Sequence, residues 1–150
     1  MKKALLIVDM QEEYIGMNSQ YKYENKEQLI QNIQNKINTF EGDILYFKNK
    51  RKDISSNIIQ EIMIPKAPVF VKEKSSCFSN QDWIDYISEH LITEITVAGI
   101  DGNCCVRSTA LDGIKMGLNV VIDLHCIGVM NGIRFEKTKE RLHKCGVKMM

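Results

Sequence analysis

Three kinds of reactive side chain each follow a short apolar run in this sequence: Asp9 after ALLIV, Lys72 after VFV, and the adjacent Cys104 and Cys105 shortly after ITVAG. An acid, a cation and a thiol are what nucleophilic acyl chemistry requires. A thiol attacks as its thiolate, which a helix N-terminus or a nearby ammonium favours, and a carboxylate beside it can take the thiol proton and later return it to a leaving amine. A carboxylate or an ammonium at the end of an apolar strand is costly unless it pairs or works. Taken singly, each has a plainer reading: Asp9 as a turn cap, Lys72 and Lys74 as solvated charges, either cysteine as a small core residue.

The elements that would position these groups alternate between β-rich runs and helical patterns, the mark of a parallel sheet with crossover helices. Strands are expected at Ala4–Val8, Asp43–Phe47, Val69–Val71, Ile95–Ala98 and Asn119–Ile122, with another at Val147–Met149. Most are nearly all apolar, as strands covered on both faces must be. Leu29, Ile30, Ile33 and Ile37 recur at helical spacing ahead of Gly42 as a stop, and Trp83, Ile84, Ile87 and Leu91 do so after Asp82, a candidate N-cap. Further helices are expected from about Cys104 to Met116 and from about Phe135 to Lys144, with a short one around Ile58–Met63. In such sheets ligands bind beyond the carboxyl ends of the strands, where Asp9, Lys72 and the cysteines fall.

A chain of 150 residues fits one domain, 1–150, burying roughly 68–70% of its unfolded surface. Charges nearly cancel, with 20 Lys+Arg against 19 Asp+Glu. The one dense basic patch, Lys48–Lys52, has no interleaved aromatics, so it reads as a solvated loop and no nucleic-acid partner is expected. The apolar start ends at Asp9, too short for a signal peptide or a membrane span. Five cysteines without a regular framework then point to reduced thiols, a cytoplasmic location and no membrane partner. No Cys/His spacing suits zinc.

Together the motifs resemble the isochorismatase-like cysteine hydrolases, which include nicotinamidase and related amidases. ALLIVDMQEEY is similar to the family opening, with Tyr14 in the aromatic place. VFVKEKSSCFS is similar to its lysine motif, met by Lys72, Ser76 and Phe78. VAGIDGNCCVRSTALDG is similar to its cysteine motif, with Val106, Thr109, Ala110 and Asp112 fixing the count. The resemblance spans essentially the whole chain. It implies an α/β Rossmann-like parallel sheet of order 3-2-1-4-5-6 with helices on both faces, and Asp9, Lys72 and Cys105 as a catalytic triad. It further implies a cis peptide at Ile100–Asp101 and an oxyanion hole from the amides of Asp101 and Cys105. Gln11, Tyr14 and Phe78 are expected to contact substrate, and a homo-oligomer, dimer or tetramer, is expected. The helix N-terminus and Lys72 should push the Cys105 pKa down, with Asp9 opposing, so that Cys105 should alkylate before the other cysteines.

One part of the pattern is broken. Nicotinamidases of this family carry Asp-x-His and a further His after the second strand to bind a metal, where this chain reads DILYFKNKRKDISSN. No metal and no cofactor are therefore expected. The chain is also short between its second and third strands, which implies a more open site or one closed by a neighbouring subunit. The expected activity is a cysteine hydrolase that cleaves a small amide through a thioester. The alternative is a non-hydrolytic binding or thiol-redox protein that uses Cys104 and Cys105 together.

Overall fold

The computed structural model describes residues 2–51 and 55–150; Lys52 of the basic patch and Asp53 lie outside the described residues. Six strands, β1 (Lys3–Val8), β2 (Asp43–Asn49), β3 (Val69–Lys72), β4 (Glu94–Gly99), β5 (Asn119–Ile127) and β6 (Lys148–Met149), form one sheet in the order β3-β2-β1-β4-β5-β6. Every pairing between them is parallel. The order reverses between β1 and β4, which are neighbours in space although two strands separate them in sequence.

Alternation along β1 divides the core between two faces, because successive side chains point to opposite sides of a strand. Leu5 and Ile7 join Tyr46 under α2 (Lys26–Thr39), through Leu29 and Ile33. Ala4, Leu6 and Val8 join Phe47 under α3 (Gln81–Glu89), α4 (Cys105–Lys115) and α5 (Gly132–Lys144), through Trp83, Val106, Ala110 and Leu142. Burying a large side chain of this kind is worth about 1.5–3 kcal/mol, and both faces of the central strands collect it.

Several element ends differ from the sequence expectation. The cap of α3 is Asn80, whose side chain accepts from the Trp83 amide at 2.9 Å, and Asp82 lies inside the first turn. α2 stops at Thr39, ahead of Gly42. β5 runs on through Cys126 to Ile127, and α5 begins at Gly132 because Asn131 caps it through the Arg134 amide at 2.9 Å. A one-turn helix, α1 (Glu12–Ile15), follows β1 directly. Where a short helix was expected around Ile58–Met63, the structure has a 3-10 turn, Gln60–Ile62. Tyr46 holds this segment by donating its hydroxyl to the Ile62 carbonyl and accepting from the Ile64 amide.

One glycine governs the site's geometry. Gly99 ends β4 at φ +119, and a Cβ there would stand 2.2 Å from the Val8 carbonyl oxygen. Gly99→Ala should cost about 1–3 kcal/mol for the backbone conformation alone, with the clash added, read as a lowered denaturation midpoint.

Candidate active site

Asp9 leaves β1 in the left-handed conformation, φ 54, which Asp tolerates better than most residues. Its amide donates to the Phe47 carbonyl at 2.9 Å, and its carbonyl accepts from the Gln11 amide at 2.8 Å. The carboxylate stays under the surface, 4% exposed. Lys72, the last residue of β3, is wholly buried, and its Nζ donates to Asp9 Oδ2 at 3.0 Å. A buried ammonium needs such a partner, since an unpaired charge is heavily penalised away from water.

Asp9 Oδ1 is buried without a partner in hydrogen-bonding geometry. An orphaned buried carboxylate oxygen calls for an explanation, and Cys105 supplies one. The thiol interacts with this carboxylate and lowers its pKa, although the contact falls short of a well-formed resting hydrogen bond. Catalytic contacts are often loose before substrate arrives.

Cys105 is the first residue of α4, half-buried at the tip of the turn that follows β4. Cys104 beside it is exposed. The Ile100–Asp101 peptide in this turn is cis. The Asp101 carbonyl accepts from the Cys104 and Val106 amides at 3.0 and 3.1 Å. Among the described residues neither the Asp101 amide nor the Cys105 amide donates to a protein acceptor. Both residues line the same cleft.

The protonation states differ from the sequence expectation. The Cys105 thiol is pushed up to about 12, by burial first and by the Asp9 carboxylate second, while Lys72 pulls it the other way. Burial also raises the Asp9 carboxyl above its ordinary value, against the pull of Lys72 and Cys105. For Lys72, burial works downward, but its interactions with its partners, the Asp9 carboxylate foremost, outweigh it and the net direction is up. The expected downward shift of the thiol is therefore corrected: desolvation outweighs the ammonium. The Cys105 thiol therefore rests protonated at neutral pH, and an enhanced thiolate fraction no longer gives it a reason to alkylate first.

Two sequence-singled residues lie outside the cleft. Gln11, wholly buried, spends its side-chain amide on backbone: Nε2 donates to the Asn49 and Ser56 carbonyls at 3.1 Å each, and Oε1 accepts from the Asn49 amide at 2.7 Å. It ties the end of β2 to the chain that follows it. Phe78 packs in the core against Trp83, ring centroids 6.0 Å apart. Its neighbour Ser76 caps the 3-10 turn Cys77–Ser79, and the Cys77 amide donates to Thr109 on α4 at 3.0 Å. The lysine motif thereby braces β3 against the helix that carries Cys105.

Tyr14 is in the cleft, a space of about 260 Å³ that Asp9, Ile100, Asp101, Cys104 and Cys105 also line. No motif or periodicity pointed to its other walls. Tyr21 and Tyr23 come from the aperiodic loop before α2, Asn49 and Arg51 from the end of β2, and Met130 from the loop after β5. Tyr14 stands edge-on to Tyr21 at 5.4 Å and accepts from Asn49 Nδ2 at 3.1 Å, and Arg51 donates to the Tyr21 hydroxyl at 3.2 Å.

A strand-end carboxylate, a lysine from β3 and a cysteine opening α4 stand at the carboxyl ends of a parallel α/β sheet, and comparisons with known proteins show the family that carries this fold. The isochorismatase domain matches residues 3–150. The chain belongs to the isochorismatase family. Its fold is shared with an isochorismatase-like hydrolase from Alkaliphilus metalliredigens at 22% identity, TM-score 0.87, covering 99% of this chain and 93% of that one. It is also shared with the pyrazinamidase of Pyrococcus horikoshii, solved in complex with zinc, at 18% identity, TM-score 0.85, covering 100% and 99%. N-carbamoylsarcosine amidase from Thermoplasma acidophilum is similar at 18% identity, TM-score 0.84, covering 99% and 95%. Among curated proteins nothing matches the sequence. The chain is an isochorismatase-family hydrolase whose structural relatives include amidases.

The described residues after β2 do not offer the His, Cys and carboxylate ligands that zinc takes. The described end of β2 offers Asn49, Lys50 and Arg51, amide and cationic groups. Among the described residues no group of three or more His, Cys, Asp or Glu is placed to hold an ion.

Proposed function

We propose that the protein is a metal-independent cysteine amidase that cleaves the C–N bond of a small amide through a thioester on Cys105. The observation that carries this reading is the buried, partnerless Oδ1 of Asp9 beside a protonated Cys105 thiol. A carboxylate whose pKa is raised by burial is a better match for a thiol proton than a solvated one. In the first step Asp9 accepts the Cys105 proton as sulfur attacks the amide carbon. The amides of Asp101 and Cys105 receive the developing oxyanion, where one lost donor typically costs roughly 10²–10³ in rate. Collapse expels the amine, which takes the proton from Asp9. Water, deprotonated by the same carboxylate, then cleaves the thioester, and Cys105 regains its proton. Lys72 holds the carboxylate in place throughout and offsets the negative charge on sulfur.

The three tyrosines of the cleft suit a small, flat substrate. The test is ammonia or amine release from a panel of small amides, including nicotinamide, ureido and N-carbamoyl compounds. Turnover of at least one supports the reading, and inertness toward the whole panel counts against it. Chelation should leave the rate unchanged. A rate abolished by chelator and restored by zinc would refute metal independence.

A further inference from the structure

The free Asp101 and Cys105 amides sit in a turn whose shape is maintained from outside the cleft. Asp101 itself spans two loops: Oδ1 accepts from the Asn103 amide at 2.8 Å, and Oδ2 accepts from the Met130 amide, beyond β5, at 3.1 Å. Asn103, only 3% exposed, continues the connection. Its Nδ2 donates to the Asn131 carbonyl at 3.0 Å, and its Oδ1 accepts from the Thr138 hydroxyl at 2.7 Å. Thr138 is a buried residue of α5 that does not line the cleft. Two backbone bonds complete the attachment, from the Gly102 amide to the Gly128 carbonyl at 2.9 Å and from the Gly128 amide to the Gly99 carbonyl at 3.0 Å.

We propose that α5 and the loop before it clamp the oxyanion-binding turn, with Thr138 and Asp101 as positioning residues for the reaction on Cys105. This inference rests on the hydrolase reading for its catalytic half and on the hydrogen bonds alone for its structural half. The physical reason is preorganisation. Donors aimed at a developing oxyanion help only if they are held before the charge appears, and misplacement of about 1 Å can cost 10²-fold. A turn with free amides cannot hold itself by those amides, so its side chains and its remaining backbone groups must hold it. Asp101 does this with both carboxylate oxygens, and the hydroxyl of Thr138 satisfies the buried acceptor of Asn103.

Thr138→Val keeps the shape of the side chain and removes the donor, leaving Asn103 Oδ1 buried without a partner. Thr138→Ser restores the donor. Amide hydrogen exchange across residues 102–106, followed by mass spectrometry, tests the clamp without any substrate. Exchange in this turn should rise at least about tenfold in the Val variant, with protection elsewhere retained, and return to wild-type rates in the Ser variant. Equal protection in all three proteins, or loss spread evenly over the molecule, would overturn the clamp. On whichever panel amide the wild type turns over, Thr138→Val should lower kcat about tenfold at unchanged KM, with recovery in Thr138→Ser. An unchanged kcat alongside faster exchange would overturn the positioning role. If the wild type turns over no amide, the hydrolase reading fails, while the exchange result still decides the clamp.

Discussion

Cys105→Ala should abolish amide turnover, and Cys104→Ala should leave the reaction running. The first loss should be on the order of 10⁶-fold, the scale seen when a nucleophile is removed from a coupled catalytic unit. The second follows from placement and electrostatics: Cys104 is exposed, while the half-buried Cys105 thiol is among the groups that shift the Asp9 and Lys72 pKa values. Steady-state amine release by the two purified variants checks this. The same pair separates hydrolysis from a thiol switch, which needs both sulfurs. A vicinal disulfide also demands a strained ring, and all five cysteines are free in this structure. Equal loss in both variants would favour the switch.

Asp9→Asn removes the proton acceptor at little change in shape, and kcat should fall by roughly 10²–10⁴. A second effect runs the opposite way. Burial is the larger cause of the raised Cys105 pKa, and the Asp9 carboxylate is the next. Removing that negative charge lowers the thiol pKa, so Cys105 in the Asn variant alkylates with iodoacetamide at lower pH than in the wild type. A variant with a more acidic thiol and far less activity identifies Asp9 as the proton acceptor rather than a tuner of thiolate. The pH dependence has a definite sign. The base works ionised and its pKa is raised, so wild-type kcat/KM falls as pH drops through a value above the ordinary ~4 of an aspartate. That limb should vanish from the residual activity of the Asn variant. Because thiol and carboxylate interact, the apparent values belong to the pair.

The residues that the sequence placed at strand ends are those the fold brings together. Apolar runs mark β1, β2 and β4 because they are covered on both faces, whereas β3, at the sheet edge, leaves Val69 and Val71 exposed; parallel strands fix where the carboxyl ends lie. Asp9, Lys72 and Cys105 were legible for that reason. Gln11 and Phe78, expected at the substrate, do not line the cleft, because position in a motif does not say which way a side chain points. One is consumed by the backbone of Asn49 and Ser56, the other by the core around Trp83. Tyr21, Tyr23 and Met130 lie in loops without periodicity, so nothing in the sequence aimed them at the cleft. The same holds for α5, whose part in the site depends on the single hydroxyl of Thr138 meeting Asn103, 35 residues away. The sign of the thiol's pKa shift was beyond the sequence too, since it is a balance between burial, Asp9 and Lys72 set by side-chain distances.

The central claim is a covalent intermediate on one named sulfur. Rapid acid quench of the wild-type enzyme during turnover of a panel amide, followed by peptide mass mapping, reads it directly. A mass increase equal to the substrate's acyl group on the peptide carrying Cys105, assigned by fragmentation to that residue and absent from Cys105→Ala, is the predicted result. An acyl group found on Cys104, or continued turnover by Cys105→Ala, would contradict it.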